Sequence, residues 1–574
     1  MRFCSHAAAA LMLFSWWAPA ASAGDATKLD GYDVVIAGGS TAALAAAFAA
    51  ADEGCRVALL EPTDWIGGQL TSSGVPAVDE AWHKFTNEET GELLLNVSAI
   101  ARDPRNMTPW FRDALAQIGN PGRGWVSRYC FKPRLLLDGH LLPREHALSD
   151  RLTVFRRTVV KQVAVEVGTG RVTSLTAIRR APLTDAAARE TEPPSKVLAD
   201  WYSPTPSERF TKEVLVFARG EGKAPPVFID ATEWGELLVL ADAPYLQGAE
   251  LAEDSDLANE PCGQAITYGF VQRYNESPVA GGEAFPSAPN LGFGSYRERD
   301  DAWSRVWTYR RIYATGAEPT PGDLSLQNWG YDPRTGESGN DYPGRHFLLP
   351  REEAAAQRGD WQGGVDIEVL AAAERQAYAW HDWFRNAAPE GVDPKCFTLD
   401  REVLGAAHGL SKLPYIRDTR RAIGLDGFRL KITDLTGPAQ QQTGTRFEDR
   451  VALGAYAADI HPLAGCSYDD SLIVDHKTLP FYLPYRALTV DKRPNLLVAG
   501  KTMAQTFLAN SATRLHPIEW STGCAAGAAA AFLAKTGGVT RDGLEQIEKV
   551  QAIVRRHTPI DWTIEPEHAP VASR

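Results

Sequence analysis

The sequence predicts an α/β fold with a parallel sheet at its centre, and three stretches carry that prediction. Residues 32–61 run through a short apolar segment, a Gly-Gly turn, a long series of small residues and a second apolar segment ending in Glu61. Val227-Phe228-Ile229-Asp230-Ala231-Thr232 is another apolar run that closes in a turn. Leu496-Leu497-Val498-Ala499-Gly500 is a third. Apolar runs without alternation suit strands buried on both faces, as in a parallel sheet covered by other layers.

The first stretch is the most informative. Residues 34–37 suit a buried strand, and Gly38 and Gly39 permit a tight turn and a close backbone approach. Thr41, Ala42 and Ala43 then open a helix of small residues that can pack hard against the sheet. Free N–H groups and the helix dipole favour an anion at its start. Residues 56–60 form the next strand, and Glu61 follows the glycines by about 20 residues, the place of an acid that accepts the ribose hydroxyls. Together these elements spell a dinucleotide-binding βαβ unit. In the fingerprint Gly-x-Gly-x-x-Gly/Ala the three positions are Gly38, Ser40 and Ala43, so the Ser40 side chain must avoid the diphosphate or bond to it.

The ends and the composition set the class. Arg2, the mostly apolar residues 7–18 and Ala21-Ser22-Ala23 read as a cleaved signal peptide over residues 1–23. That apolar run is short for a membrane span, which needs about 20 residues. The expectation is an exported protein, periplasmic or secreted, with no membrane segment after cleavage. A chain of 574 residues exceeds a single simple core, so two connected domains are expected. Its net charge is −13 with no long block of like charge, which argues against nucleic acid or an anionic membrane as partner. Cys55 and Cys524 lie beside helices and read as buried thiols. A disulfide among Cys130, Cys262, Cys396 and Cys466 is compatible with export, its pairing open. No zinc-ligand spacing is present, so no metal is expected.

After Glu61 comes Pro62-Thr63-Asp64-Trp65-Ile66-Gly67-Gly68-Gln69-Leu70-Thr71, where Gly67 and Gly68 let backbone pass close to a ligand. At this point the chain resembles the FAD-dependent oxidoreductases of the glutathione-reductase-like superfamily, flavoproteins with two dinucleotide-binding domains. It is most similar to a broad family named simply FAD-dependent oxidoreductase, some of whose members carry a xanthan-lyase label. Residues 33–47, Glu61 and 66–73 carry the resemblance, and residues 125–133 add to it.

The resemblance implies a Rossmann-like FAD-binding domain, made of a parallel sheet, helices and a β-hairpin or meander, with an inserted α+β substrate domain. The expected division is 24–245 for the first part of the FAD domain, 246–412 for the insertion, 413–540 for the returning part and 541–574 for a terminal helix and tail. Residues 154–167 and 171–178 alternate at period two around Gly168-Thr169-Gly170, which reads as a hairpin. In such enzymes Val159, at its start, would contact the adenine. Residues 181–207, rich in Pro, Ala and charge, read as a surface excursion. Ala231 and Thr232 would place backbone near the dinucleotide, although Glu233 stands where relatives commonly have Gly.

Residues 246–414 are rich in aromatics, and residues 367–384 have helical periodicity. Aromatic walls with a few amides and acids suit an uncharged polar ligand such as a sugar or an aryl compound, with Trp329 one such wall. The chain then returns through Arg417-Asp418-Thr419-Arg420-Arg421, whose arginines could hold an anion or pair with acids. Gly500 ends a buried strand where ligands sit in such sheets. Lys501 replaces the acid that many relatives use there for the ribityl chain. The motif 510–520 continues into the small-residue run 521–531, which reads as a closely packed helix containing Gly523, and in FAD enzymes of this kind its N-terminus would face the flavin pyrimidine edge and favour negative charge on reduced flavin.

The implied chemistry is transfer of a hydride from a small alcohol, sugar or amine to flavin N5, by a dehydrogenase or an oxidase. A base must take the accompanying proton, and histidine suits that task. His516 is the first candidate and His461 the second. Tyr485, Arg486, Asn510 and Arg514 are candidates for holding substrate. No attachment residue stands out, so FAD is expected to be non-covalent. The electron acceptor is open among oxygen, a quinone and a partner protein, and the absence of a second nucleotide fingerprint argues against NAD(P)H as the routine partner. The alternative from another class is a carbohydrate-active, non-redox protein that keeps the FAD fold.

Overall fold

A computed structural model describes residues 26–568 except 223, 251–254, 256–257, 281–284, 317–318, 331, 333 and 467–475. The expected signal peptide, 1–23, lies outside the described residues, as do Tyr331 and the last residues of the tail.

Five parallel strands form the central sheet: β1 (Val34–Ala37), β2 (Val57–Leu60), β3 (Leu152–Phe155), β4 (Val227–Asp230) and β5 (Leu496–Val498), in the spatial order β5-β4-β1-β2-β3. β1 pairs with β2 through Val34↔Val57 to Ala37↔Leu60, and with β4 through Val34↔Val227 to Ala37↔Asp230. Every residue of β1, β2 and β4 is buried, as an interior parallel sheet requires. Val34 and Ile36 face one apolar cluster, Val35 and Ala37 another, so the sheet is the middle layer.

Two helices of small residues cover the first face. Helix α1 (Thr41–Asp52) follows the Gly38-Gly39 turn, and α2 (His516–Thr536) comes from the far end of the chain. A Cβ placed on Gly523 would strike the Ala42 carbonyl, and one on Gly527 the Ala46 carbonyl. The two helices therefore touch backbone to backbone, which joins the first and last thirds of the polypeptide.

A four-stranded sheet covers the other face. It is made of Thr27–Leu29, Phe210–Ala218, Val172–Pro182 and Thr158–Val165. The hairpin around Gly168 and Gly170 is present, but it starts at Thr158: residues 154 and 155 belong to β3 of the central sheet. The stretch read as a surface excursion does more than cross the surface. Its helix Pro194–Tyr202 buries Val197, Leu198, Trp201 and Tyr202.

Between β4 and β5 the chain builds a four-stranded antiparallel sheet from Arg310–Tyr313, Leu324–Gln327, Phe270–Tyr274 and Phe397–Leu399, flanked by the helix Ile367–Asn386. Cys262 and Cys466 form a disulfide whose Cα atoms are 5.5 Å apart. It ties this region to the returning segment where Gly263–Gln264 pairs with Leu463–Ala464. Cys55 and Cys524 are buried thiols, as are Cys130 and Cys396. No helix among the described residues is long and apolar enough to cross a membrane.

Candidate active site

The βαβ turn is built by close approach. Gly38 has φ +110°, and a Cβ there would strike the Ala231 carbonyl and Thr232 nitrogen. Ser40 caps α1: its hydroxyl accepts from the Ala43 N–H at 3.1 Å and donates to the Ala231 carbonyl at 2.8 Å. Its side chain is thus spent inward. Thr41 donates to the Gly67 carbonyl at 3.0 Å, and Gly68 lies so close that its Cβ would strike the Thr41 nitrogen. The Gly67-Gly68-Gln69 loop is therefore seated on the start of α1, beside Ala42 and Ala43.

Glu61 is fully buried behind this turn. Its Oε1 accepts from the Thr63 N–H at 2.8 Å and the Thr63 hydroxyl at 2.7 Å, while Oε2 has no partner. Burial raises its carboxyl to about 7, against those two bonds. A Cβ on Gly39 would land on the same carboxylate. Val159 lines a narrow cavity shared with Gly38, Gly39, Pro62 and Thr232. Asp230 closes the next turn by accepting from the Thr232 N–H and hydroxyl, and burial raises its carboxyl to about 6.

Gly500, at φ +66°, ends β5 beside Ala42 and Glu519. Lys501 lies wholly inside, donating to Glu233 Oε2 at 2.8 Å and Glu519 Oε1 at 2.7 Å. Gln69 reaches across from its loop and donates to the Arg514 carbonyl at 2.9 Å.

Arg514 opens onto a cavity of about 980 Å³. Trp329, Tyr309, Tyr296 and Phe293 form one side, Tyr415 and Tyr456 another, with Asp79, Arg310, Arg417, Asp459 and His461 among them. Trp329 meets Tyr309 edge to face at 5.2 Å and lies tilted 5.4 Å from Tyr296. Arg310 pairs with Asp79 at 2.7 Å, and Arg417 with Asp341 at 2.9 Å. Arg514 donates to the Tyr415 hydroxyl at 2.9 Å and the Asp459 carbonyl at 3.0 Å.

His461 sits between two carboxylates. Its Nδ1 is 2.9 Å from Asp341 Oδ2 and its Nε2 is 3.4 Å from Asp459 Oδ2. Asp341 is wholly buried, whereas the side chains of His461 and Asp459 are 23% and 30% exposed, so Nε2 and Asp459 face the cavity. Burial and Arg417 lower the imidazole pKa, but Asp459 and Asp341 outweigh them and raise it above its ordinary value. Burial likewise works against the charge on Asp341, yet Arg417 and His461 bring its carboxyl to about 2.

His516 is placed differently. Its ring is entirely buried, with Nδ1 accepting from the Asp79 N–H at 3.1 Å and Nε2 against the Val75 carbonyl at 3.2 Å. Burial lowers its pKa to about 4, so it is neutral, one layer behind Asp79. Nor do the other candidates line the cavity. The Tyr485 hydroxyl donates to the Thr540 carbonyl, Arg486 pairs with Asp449 at 2.9 Å, and Asn510 donates to the Arg417 carbonyl at 2.8 Å. Of the proposed catalytic and substrate residues, the fold brings His461, Trp329 and Arg514 together. It adds Asp341, Asp459 and Arg310: Asp341 stands in the loop Asn340-Asp341-Tyr342 of the aromatic-rich segment and Asp459 two residues before His461, whereas Arg310 had no sequence signal. Among the described residues no group of three or more His, Cys, Asp or Glu side chains could hold a metal ion.

The pattern of the family described as FAD dependent oxidoreductase matches residues 33–190 and 209–554. The chain belongs to that family. No curated protein matches it. Among solved structures it is similar to a geranylgeranyl bacteriochlorophyll reductase-like protein of Thermoplasma acidophilum, at 11% identity and a TM-score of 0.31 over 92% of this chain and 84% of that one. It is also similar to a variant of E. coli quinol fumarate reductase, at 12% identity and a TM-score of 0.27 over 91% of this chain and 74% of that one. Likenesses of this size decide nothing further; the family match decides the cofactor.

The residues present fit FAD. The unpartnered Glu61 Oε2 is an acceptor awaiting a hydroxyl donor, as a ribose supplies, and it stands behind the turn at the head of α1. Val159 borders the cavity next to it, on the side an adenine would take. The protein is a flavin-dependent oxidoreductase, and Glu61, Gly68 and Gly500 are residues that would hold its cofactor.

Proposed function

We propose that the protein is an exported FAD-dependent dehydrogenase or oxidase that oxidises a hydroxyl-bearing carbon of a small polar molecule, a sugar or an aryl alcohol. The placement of His461 carries this reading: a basic imidazole fixed by a buried carboxylate and open to an aromatic cavity. Bound FAD supplies the acceptor for the two electrons that leave with the substrate C–H as hydride. His461 takes the hydroxyl proton at Nε2, because Asp341 holds Nδ1 and fixes the tautomer. Asp459 lies where that proton can be shared onward. Trp329 and Tyr309 offer flat faces to a ring, as sugar or aryl substrates need.

The charge of the cavity favours an alcohol over an amine. Arg310, Arg417 and Arg514 project from its wall, each beside a carboxylate (Asp79, Asp341 and Asp459), so the wall's charges are matched and suit an uncharged substrate. The same guanidinium groups stabilise the oxyanion that develops as the hydroxyl loses its proton. The small-residue-bounded leader at 1–23 and the Cys262–Cys466 disulfide support export, since such bridges persist in oxidising compartments.

Anaerobic mixing of the FAD-loaded protein with panels of sugars, aryl alcohols and amines tests the reading. Bleaching of the flavin absorbance by a hydroxyl substrate, and its recovery with oxygen or a quinone, is expected. Bleaching by amines alone, or by nothing in either panel, would refute it.

A further inference from the structure

A third cavity, about 60 Å³, lies beside the helix Pro194–Tyr202 and shares no lining residue with the catalytic cavity or with the one beside Glu61. The strand Val172–Pro182 turns Arg179 outward and Arg180 inward, leaving Arg180 only 3% exposed. Its guanidinium lies 3.7 Å above the centre of the Trp201 ring. Nη2 donates to the Pro62 carbonyl at 2.7 Å, whereas Nε and Nη1 have no partner. Arg180 makes no ion pair with any described residue. Burial lowers its pKa to about 9, the mark of a charge without an adequate counterion.

Every other cation at this cavity is matched. Lys412 bridges Asp64 and Glu190 at 2.8 Å each, Arg157 pairs with Asp64 at 3.1 Å, and Arg209 with Glu192 at 2.8 Å. Four cations thus face three carboxylates, and the positive charge left over is that of Arg180. His408 adds none: burial lowers its pKa to about 3, and its Nδ1 accepts from the Leu410 N–H. Trp201, Val197 and Phe210 supply an apolar wall.

Much of the cavity wall lies outside the family pattern. The family pattern skips residues 191–208, and that stretch contributes Thr191, Glu192, Pro194, Val197 and Trp201 to the lining. The skipped segment is therefore what closes a pocket over an inward-facing arginine.

We propose that this cavity binds a small monocarboxylate, its oxygens on Arg180 and its apolar end against Trp201 and Val197. Charge-assisted bonds from a guanidinium to a carboxylate are among the strongest available to a neutral-pH ligand. One surplus positive charge calls for a monoanion; a phosphate dianion would leave the pocket negative. The space holds on the order of four or five waters, which suits an acid of about two to four carbons.

Calorimetric titration of the FAD-loaded protein with butyrate, 1-butanol and inorganic phosphate tests this. Saturable butyrate binding is expected, with butanol and phosphate weaker by about ten-fold or more. Arg180→Gln should abolish it. Because that variant can fail to fold, Ala187→Leu serves as a second probe: it fills the cavity from its rim, leaves Arg180 in place, and should abolish butyrate binding with Tm unchanged. Equal binding of butanol, tighter binding of phosphate, no saturable binding of butyrate, or unaltered binding in Ala187→Leu would each overturn the proposal. So would release of flavin on butyrate addition, since the cavity would then belong to the cofactor.

Discussion

Lys501 and Glu233 are ion-paired at 2.8 Å inside the protein, and each stands where the flavoprotein resemblance leads one to expect something else. An acid is common at the first position and glycine at the second. The two departures are one feature: a lysine placed beside the glycine turn of β5 requires a buried carboxylate, and the end of β4 supplies it. Glu519 of α2 supplies another at 2.7 Å. Removing the cation leaves two buried carboxylates facing each other. Lys501→Met should therefore cost about 3–5 kcal/mol, and Lys501→Met combined with Glu233→Gln distinctly less than the sum of the single variants. Denaturant unfolding of the four proteins measures the coupling; additive losses would show that the pair is incidental.

Glu61 carries a second expectation. Its folded-state pKa, about 7 without a ribose bound, lies above the ordinary carboxylate value, so the folded apoprotein holds a proton that the unfolded chain has already released. Stability of the apoprotein should accordingly fall as pH rises from about 4.5 to 7, by about 3 kcal/mol in all. Glu61→Gln removes that slope. It also weakens FAD binding by about ten-fold or more, because an amide serves the ribose diol poorly. Thermal melts across pH, with and without FAD, separate the two effects.

The contact between α1 and α2 gives a third. A side chain on Gly523 would strike the Ala42 carbonyl, and neither helix can move without lifting off the sheet. Gly523→Val should destabilise the protein by about 1–3 kcal/mol or more and loosen FAD, since Ala42 lies in the first turn of α1, the helix whose start would meet the diphosphate. Gly537→Ala is a control: it caps the end of α2, a Cβ there would meet nothing within 4 Å, and its cost is the local strain of its positive φ alone. Flavin retention on gel filtration distinguishes the two variants.

Most of the sheet was legible because its signals are local. β1, the glycine turn, α1, β2 and Glu61 follow one another within 28 residues, Val34 to Glu61, and each depends on its own residue types. The catalytic cavity is a different matter. Asp341 and His461 are 120 residues apart, and nothing in either neighbourhood announces the other. His516 attracted attention through its place before the small-residue helix, but the helix start turns its ring inward onto the Val75 carbonyl. Tyr485 and Arg486 read as ligand-facing in sequence because aromatic and cationic side chains look alike whether they meet a substrate or, as here, Thr540 and Asp449.

The two histidines make the sharpest contrast. The pKa of His461 is raised, so its basic form gains population as pH climbs past a midpoint above 6.5, and the rate of flavin bleaching by substrate should climb with it. His461→Ala should slow bleaching by about 10²–10⁴-fold and remove that limb of the profile. Asp341→Asn should lower the midpoint, because the carboxylate that favours the imidazolium is gone while the ring keeps a partner at Nδ1. His516 acts on stability instead. With a folded pKa of about 4 it remains neutral where an unfolded histidine takes up a proton, so stability should fall as pH drops from about 6.5 to 4, by about 3 kcal/mol. His516→Gln should abolish that slope and leave the bleaching limb where it was. Stopped-flow bleaching and denaturant unfolding over the same pH range decide the assignment, and loss of the kinetic limb in His516→Gln rather than His461→Ala would reverse it.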